Sequence, residues 1–393
     1  MSSTPRIRSR SRLLLLAAAF ACTDIPTQVT PAPATQVSEA KVSNGTVSTR
    51  WNRRVAGLLA LRPPTNGQAA TNRILAYLSI AQYRAVLAAS AANEKSARVS
   101  VRAAVGAASV AVLSGFFPLD SDSLEAQLDA DIAADQSPAE QQKDQVAGEA
   151  IGRSVGAAVN ALVATDNYLL TAPGTPPPGA GYWTSSPSPT VRALHGARPF
   201  FMTSPSQLRP APPPAFGSPA FLAALAEIRT ISDTRTPEQD AVAKAWNTSV
   251  PPFTLGALNL IVDSLIDRHQ RTEREAARIL AYANAAAFDA HIACFEAKFT
   301  YWFIRPSQAD PAIVMPIGLP NHPSYPSGHS CITSAMAEVV SNALPSERRT
   351  MDRITELSGL SRMFGGIHYR FDIEAGQEIG RGAAALALAG SLK

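Results

Sequence analysis

The chain has 393 residues, 46% of them hydrophobic, so it is long enough to bury a substantial core. Its formal net charge is +4, but four positive charges lie near the N-terminus: Arg6, Arg8, Arg10 and Arg12. The first 22 positions contain no acidic residue. Without them the chain is formally neutral, which argues against a basic surface for nucleic acid.

The first 22 residues have the pattern of an export signal. An Arg-rich start is followed by a short apolar run, residues 13–21, and then by Cys22. The run is far below the roughly 20 apolar residues of a membrane span. Cys22 is a candidate bacterial lipid anchor, although the bulky Phe20 weakens that match. We expect an exported protein that is periplasmic, lipid-anchored or secreted, with residues 23–48 as a flexible tether.

Residues 49–393 are predicted to form a single all-α domain. Helical periodicity dominates, and no convincing strand pattern is present. Residues 103–117 are almost wholly apolar but only 15 long, which favours a buried core helix over a membrane span. Capping patterns at Ser137, Thr236 and Thr272 predict helix starts. The helix starting at Ser137 would carry three glycines along one edge: Gly148, Gly152 and Gly156. Their missing side chains would allow a neighbouring helix to approach closely.

Residues 173–214, here called the strap, interrupt the helical pattern. They contain 12 of the 31 prolines, which exclude both a helix and a central strand. A disordered linker between two domains is one interpretation. However, a solvated linker has little use for aromatic side chains, and the strap carries four: Tyr182, Trp183, Phe200 and Phe201. We therefore expect an ordered segment lying across the helices.

The three cysteines do not form a disulfide framework. Cys22 belongs to the signal region. Cys294 and Cys331 are expected to be two small buried thiols, although export would also permit a bridge between them.

Polar chemistry is concentrated in three clusters between residues 298 and 372. In the first, Lys298 and Arg305 are seven residues apart, so on one helix they would project from the same face. Pro306 should end that helix. A solvated surface pair is one interpretation. However, the neighbouring residues are apolar (Trp302, Phe303 and Ile304), which indicates that the pair is buried, and buried charges need a partner.

The second cluster, Pro326-Ser327-Gly328-His329, immediately precedes a helical pattern. Backbone amides, a hydroxyl and an imidazole would then meet at a helix N-terminus, where an anion is favoured. His329 would be placed for general acid or base catalysis. Taken alone, a serine N-cap followed by a surface histidine explains the same residues.

The third cluster contains Ser361-Arg362, His368 and Asp372. If this segment is helical, His368 and Asp372 share a face, and the carboxylate would fix the imidazole tautomer and raise its basicity. A neutral nitrogen so oriented suits a nucleophile toward phosphorus or a ligand to a metal oxyanion. A lone His–Asp pair is usually structural, but with the other clusters it predicts a site for a tetrahedral oxyanion.

The other histidines carry weaker signals. His322 lies five residues before Ser327 and is expected to line the mouth of the pocket. His195 and His269 are expected to be structural, and His291 has no obvious partner. Asp289 is out of phase with Lys298 on the predicted helix, so we place it outside the site.

Together the three clusters resemble the signature of the vanadium haloperoxidase and type 2 phosphatidic acid phosphatase (PAP2) superfamily. That signature is Lys, six residues, Arg-Pro; then Pro-Ser-Gly-His; then Ser-Arg, five residues, His, three residues, Asp. The sequence matches every element. Three upstream stretches are similar to the bacterial haloperoxidase-like branch: Gly181-Tyr182-Trp183, Arg198-Pro199-Phe200 and Thr236-Pro237-Glu238-Gln239.

The resemblance implies a helical bundle and assigns roles to residues. His368 would be the vanadium ligand in a peroxidase or the phosphorylated nucleophile in a phosphatase, Asp372 would orient it, and His329 would be the acid-base residue. The resemblance also places His322 at a position that influences which halide is used. A histidine at that position resembles the enzymes that use bromide or iodide. The oxygens of vanadate, or of phosphate in the same site, would be bound by five residues: Lys298, Arg305, Ser327, Gly328 and Arg362.

Three functions remain open at this point. The first is a vanadate-dependent haloperoxidase that uses hydrogen peroxide, a halide and a small organic acceptor. The second is a soluble acid phosphatase that cleaves phosphate esters through a phosphorylated His368. The third is a non-catalytic phosphate-binding protein of the cell envelope. The upstream similarity and His322 favour the first, whereas the short interval between His329 and Ser361, 31 residues, is closer to the phosphatases.

Overall fold

The fold consists of α-helices joined by irregular segments, as the sequence predicts. A computed structural model describes residues 45–95, 98–135, 137–168, 174–184, 194–247 and 253–392. In chain order its α-helices are α1 (Val47–Leu61), α2 (Gly67–Glu94), α3 (Val101–Phe116), α4 (Ser121–Ala134), α5 (Pro138–Gln141), α6 (Gln145–Val163), α7 (Pro219–Thr234), α8 (Pro237–Ala245), α9 (Phe253–Arg268), α10 (Glu273–Tyr301), α11 (Pro306–Ala309), α12 (Gly328–Ala343), α13 (Arg348–Phe364) and α14 (Arg370–Ala389). The described residues form no β-strand beyond two isolated bridges.

The first helix begins earlier than predicted. The predicted export signal and residues 23–44 of the tether lie outside the described residues, but Val47 and Ser48, which we assigned to the tether, form the start of α1. The Glu273 carboxylate of α10 accepts hydrogen bonds from the backbone amides of Val47 (2.6 Å) and Ser48 (2.9 Å). Because an acidic group satisfies the unpaired amides of a helix N-terminus, α1 is fixed there by a residue more than 200 positions away.

The centre of the bundle is α10, which packs against α2, α12 and α14. It starts at the Thr272 capping box that the sequence predicts, and α8 starts at the predicted Thr236 box. By length and composition α2 could cross a membrane, yet 67% of its most apolar 18-residue window is buried in the fold. We interpret α2 as a core helix, because its apolar residues form one cluster with those of α10 and α12.

The strap is ordered wherever it is described, residues 174–184 and 194–214. The carboxylate of Asp289 on α10 accepts hydrogen bonds from the backbone amides of Phe200 and Phe201, both at 2.7 Å, and of Met202 at 3.2 Å. Asp289 therefore has a structural role outside the site, as predicted from its position on a different face of the helix from Lys298. Nearer the start of the strap, the Trp183 amide donates to the Trp302 carbonyl at 2.6 Å, which anchors the strap beside the end of α10.

The predicted glycine edge lies where α6 crosses α3. A Cβ on Gly148 would lie 2.5 Å from the Ser100 carbonyl oxygen, and one on Gly152 would collide with the Ala104 carbonyl oxygen. The predicted start of this helix was wrong. Ser137 caps only the short α5, and α6 begins at Gln145 because the Asp144 side chain provides a second cap.

Gly152→Ala is expected to lower the free energy of unfolding by about 1–3 kcal/mol, because the added methyl group overpacks the α3–α6 contact. The matched control is Gly57→Ala on α1, where a Cβ would meet nothing within 4 Å. That change should stabilise the helix by about 0.5–1 kcal/mol. Urea unfolding of both variants measures the difference, and equal effects at the two positions would contradict the packing argument.

Candidate active site

The three predicted clusters converge on one cavity of about 240 Å³. Five of the predicted site residues line it: His322, Gly328, His329, Arg362 and His368. The other four lie in or behind its wall and are fully buried: Lys298, Arg305, Ser327 and Asp372. One further histidine lines the cavity, His291 of α10, to which the sequence assigned no partner.

His368 is held between a carboxylate and a guanidinium. Its Nδ1 lies 2.7 Å from Asp372 Oδ2, and its Nε2 lies 3.0 Å from Nη1 of Arg305. Because the guanidinium can only donate, Nε2 is the acceptor and the ring proton is on Nδ1. Burial, followed by the charges of Arg305 and Lys298, keeps the pKa of His368 well below its usual value. The ring is therefore neutral, with its lone pair at Nε2.

The His368–Asp372 pair forms as predicted, but not on one helix face. His368 precedes α14, and Asp372 lies in the first turn of that helix. Its Oδ2 reaches back to the Tyr369 amide at 3.2 Å and accepts a hydrogen bond from the Ser324 hydroxyl at 2.5 Å. Burial raises the pKa of Asp372 to about 6, while the Ser324 hydrogen bond opposes that rise. Asp372 thus joins the second and third clusters at a helix start.

Lys298 and Arg305 do not share a helix, which corrects the sequence prediction. The helix α10 ends at Tyr301, and Trp302 adopts the left-handed conformation (φ 49°) that turns the chain. Arg305 is extended, as expected before Pro306. The distance between the charges of Lys298 and Arg305 is therefore set by a turn and not by the rise of a helix. At this turn Trp302 stacks on Trp183 of the strap.

The Arg305 guanidinium is saturated by protein acceptors. Nε and Nη2 donate to the His322 carbonyl at 3.1 and 3.0 Å, Nη1 donates to the Ile367 carbonyl at 2.7 Å, and Nη2 also lies 3.0 Å from His322 Nδ1. The Pro323 carbonyl lies 3.2 Å from the same Nδ1, but the permanently protonated guanidinium is closer. His322 Nδ1 is therefore an acceptor, and the proton of this ring is on Nε2.

Lys298 serves the loop that leads into α12. Its Nζ donates to the carbonyls of Pro323 (2.8 Å), Ser324 (2.7 Å) and Pro326. All three ammonium protons therefore meet carbonyls, and Lys298 contributes its positive charge to the site rather than a free N–H. Burial lowers its pKa to about 8, so the charge is present at neutral pH.

The second cluster lies at the start of α12, as predicted. Ser327 is the N-cap, and a Cβ on Gly328 would meet only Cys294 Sγ and His291 Nε2, each at 4.0 Å, so this side of Gly328 is open. Within the described residues, its backbone amide donates to no acceptor. His329 Nε2 lies 2.8 Å from the Trp246 carbonyl, which can only accept, so its proton is on Nε2. Burial and the nearby Arg362 lower the pKa of His329 well below its usual value.

Arg362 lies in the last turn of α13. Its Nε donates to the Ser361 hydroxyl and its Nη2 to the Ala243 carbonyl, both at 2.9 Å. Nη1 makes no hydrogen bond to any residue that the structure describes, and the side chain lines the cavity. Burial, then the neighbouring Arg305, lowers the pKa of Arg362 to about 9, so this group also remains charged.

The site has three buried cations and an unbalanced positive charge. Lys298, Arg305 and Arg362 are at most 1% exposed, and within the described chain none forms an ion pair with a carboxylate. One buried carboxylate, Asp372, acts on Lys298 and Arg305 through its charge, which leaves the positive charge in excess. Uncompensated buried charge is costly, so the cavity fits an anion with several oxygens. The neutral His368 ring lines the same cavity, and its Nε2 lone pair accepts from Arg305, a donor that an anion oxygen could also engage. This donor set fits vanadate or phosphate.

Comparison with known proteins supports this interpretation. No curated protein matches the chain, but residues 277–392 match the model of the PAP2 superfamily. The matched segment contains all three clusters. The structure resembles a bacterial vanadium-dependent iodoperoxidase at 22% identity and a TM-score of 0.73, covering 88% of this chain and 96% of that one.

A bacterial vanadium-dependent chloroperoxidase is also similar, at 14% identity. Its holo form gives a TM-score of 0.63 over 84% of this chain and 95% of that one, and its apo form gives 0.64 over 84% and 98%. At these identities the likeness establishes the fold. The helical bundle predicted from the PAP2 signature is thereby confirmed.

Sequence analysis missed the groups upstream of the PAP2 segment that position its side chains. Ala243 and Trp246, at the end of α8, offer carbonyls to Arg362 and His329. Backbone carbonyls carry no side-chain signal, so no motif could have revealed them. Asn72 of α2 lies 2.7 Å from His291 Nδ1, and neither residue belongs to a recognisable pattern.

Anion binding is expected to weaken as the pH rises through about 8, where Lys298 loses its charge. Sulfate is a suitable probe, because its own charge is constant between pH 6 and 9. A roughly tenfold loss of affinity, measured by calorimetry, corresponds to about 1.4 kcal/mol of lost attraction. Lys298→Met should bind weakly throughout and show no such step. Constant wild-type affinity across this range would contradict the assignment.

Proposed function

We propose that the protein is an exported, vanadate-dependent haloperoxidase that uses hydrogen peroxide to oxidise bromide or iodide to hypohalous acid. The main support is the state of His368. Its ring is neutral, its Nε2 lone pair is directed toward the buried cation Arg305, and Asp372 holds its Nδ1 proton. The bacterial iodoperoxidase and chloroperoxidase with the same fold add support.

The chain provides a distinct contact for each part of a vanadate ion. His368 Nε2 would be the vanadium ligand, and the open N–H groups at Arg362 and Gly328 would bind oxygens. Arg305 would share its donors between oxygens and its present acceptors, and Lys298 would supply charge. When bound, vanadate supplies the centre at which hydrogen peroxide is activated for oxygen transfer to the halide.

Proton transfer is assigned to His329. The reaction joins hydrogen peroxide, halide and one proton to give hypohalous acid and water, so a group that exchanges protons with peroxide is required. The Trp246 carbonyl holds the Nε2 proton of His329, which leaves Nδ1 as the atom able to accept a proton. Thr254 Oγ1, 3.1 Å from Nε2, fixes the same ring from a second side.

His322 is proposed to face the halide. It lines the cavity, its ring packs edge-on against Phe295 at 5.0 Å, and its proton is on Nε2 because Arg305 occupies Nδ1. Burial and two nearby cations lower its pKa well below the usual value, so it offers a neutral N–H rather than a charge. A small organic acceptor would meet the hypohalous acid at this mouth.

A phosphatase is the second candidate, favoured by the PAP2 match and by the same His368 geometry. Attack of Nε2 on phosphorus would displace an alcohol and leave a phosphohistidine, which water would then hydrolyse. Phosphate and vanadate share tetrahedral geometry and charge, so the residues around the anion do not discriminate between the two reactions.

Reconstitution of the purified protein with orthovanadate separates the candidates. We expect peroxide-dependent bromination or iodination only after vanadate is added, and at least a 1,000-fold loss in His368→Ala, the order found when a group that acts with others in catalysis is removed. His269→Ala is the matched control, because His269 pairs with Glu347 and neither residue lines the cavity.

Two other outcomes would overturn the haloperoxidase proposal. Phosphate-ester hydrolysis that vanadate inhibits, without halide oxidation, would assign the chain to the phosphatases. Anion binding with neither activity would favour the non-catalytic envelope protein.

A further inference from the structure

A fourth imidazole faces the cavity from α10. His291 is only 4% exposed, lines the cavity, and lies two turns before Lys298. Its Nε2 is 4.0 Å from the position that a Cβ on Gly328 would occupy, so the missing side chain leaves this nitrogen open toward the start of α12. Within the described residues, Nε2 has no hydrogen-bond partner.

The tautomer of His291 is fixed by a chain of amides in α2. The Leu255 backbone amide donates to Gln68 Oε1 at 3.3 Å, Gln68 Nε2 donates to Asn72 Oδ1, and Asn72 Nδ2 lies 2.7 Å from His291 Nδ1. A backbone N–H can only donate, so it sets the orientation of Gln68, and Gln68 sets that of Asn72. His291 Nδ1 is therefore an acceptor, and the ring proton is on Nε2.

The surroundings also keep this ring neutral. Burial, then the charge of Lys298, lowers the pKa of His291 to about 3. The titratable groups that face it are Lys298 on its own helix, His322 on the loop and His329 on α12, and none is a carboxylate. The Phe295 ring packs edge-on with His291, with the two ring centroids 4.9 Å apart, and also contributes to the wall. His291 is thus a fixed N–H donor, whereas His368 offers a lone pair.

We propose that His291 donates from Nε2 to an oxygen of the anion bound at Gly328, and that Asn72 is a positioning residue that holds this tautomer. The geometry carries the proposal, because the open nitrogen and the open backbone amide at Gly328 face the same part of the cavity. Only the identity of the anion as vanadate rests on the proposed function. Phosphate would receive the same hydrogen bond.

Calorimetric titration of the full-length, vanadate-free protein with orthovanadate and with inorganic phosphate tests the contact directly. His291→Phe keeps the ring and removes the donor, so both affinities should fall about 10- to 100-fold, as expected for a lost hydrogen bond to a charged group. His291→Gln retains an N–H donor and should recover affinity to within about fivefold of the wild type.

Asn72→Asp tests the tautomer. A carboxylate there would accept from Gln68 with one oxygen and from His291 Nδ1–H with the other, which leaves Nε2 without its proton at neutral pH. Sulfate affinity of this variant should fall about tenfold between pH 5 and 7, as its imidazolium deprotonates. Asp372, whose pKa is about 6, titrates in the same range in every variant, so the wild type and Asn72→Ala should show only that common change and lack the additional tenfold fall. In the His291→Gln background Asn72→Asp should lose this additional fall, which separates the titration of the imidazole from that of the new carboxylate.

Wild-type affinity in His291→Phe, with an unchanged Tm, would overturn the inference. If that variant does not fold, the pH profile of Asn72→Asp decides, and a profile like that of Asn72→Ala would overturn it equally. Failure of the proposed function has a different appearance, because vanadate would bind with His291-dependent affinity while no halide was oxidised. Absence of anion binding by the wild type would overturn both proposals.

Discussion

The structure of the site depends on three buried cations that are solvated by carbonyl groups and only partly balanced by one carboxylate, Asp372. Lys298 meets the carbonyls of the loop before α12, Arg305 meets those of His322 and Ile367, and Arg362 meets that of Ala243. Carbonyl dipoles reduce the cost of burial but leave the net charge in place. The positive field that remains is directed into a cavity, where a small oxyanion completes the electrostatic balance.

The same cations organise the imidazoles around them. Their charges, with burial, hold the pKa of His322, His329 and His368 below the usual range, so each ring is neutral and has one donor and one acceptor. Which nitrogen is which follows from partners that cannot change role: a guanidinium for His322 and His368, and a carbonyl for His329. The rings therefore offer different atoms to a bound anion although they are chemically identical.

Sequence reasoning succeeded where the determining interaction is local. The caps at Thr272 and Ser327 and the pairing of His368 with Asp372 involve residues three or four positions apart, so spacing alone predicts them. It failed where a remote contact decides the backbone. The turn at Trp302, which removes Arg305 from the helix of Lys298, packs against the strap, and His291 is paired with a residue of α2 that lies 219 positions away.

The three clusters are parts of one hydrogen-bonded network. Lys298 of the first orders residues 323–326, Ser324 of that segment donates to Asp372 of the third, and the Ser327 amide of the second donates to the Asp372 carbonyl at 2.9 Å. A network so closely coupled can select a tetrahedral oxyanion, but it contacts only that ion. Discrimination between a halide and a phosphate ester must therefore come from the rest of the cavity wall, where Phe295 packs edge-on against both His322 and His291.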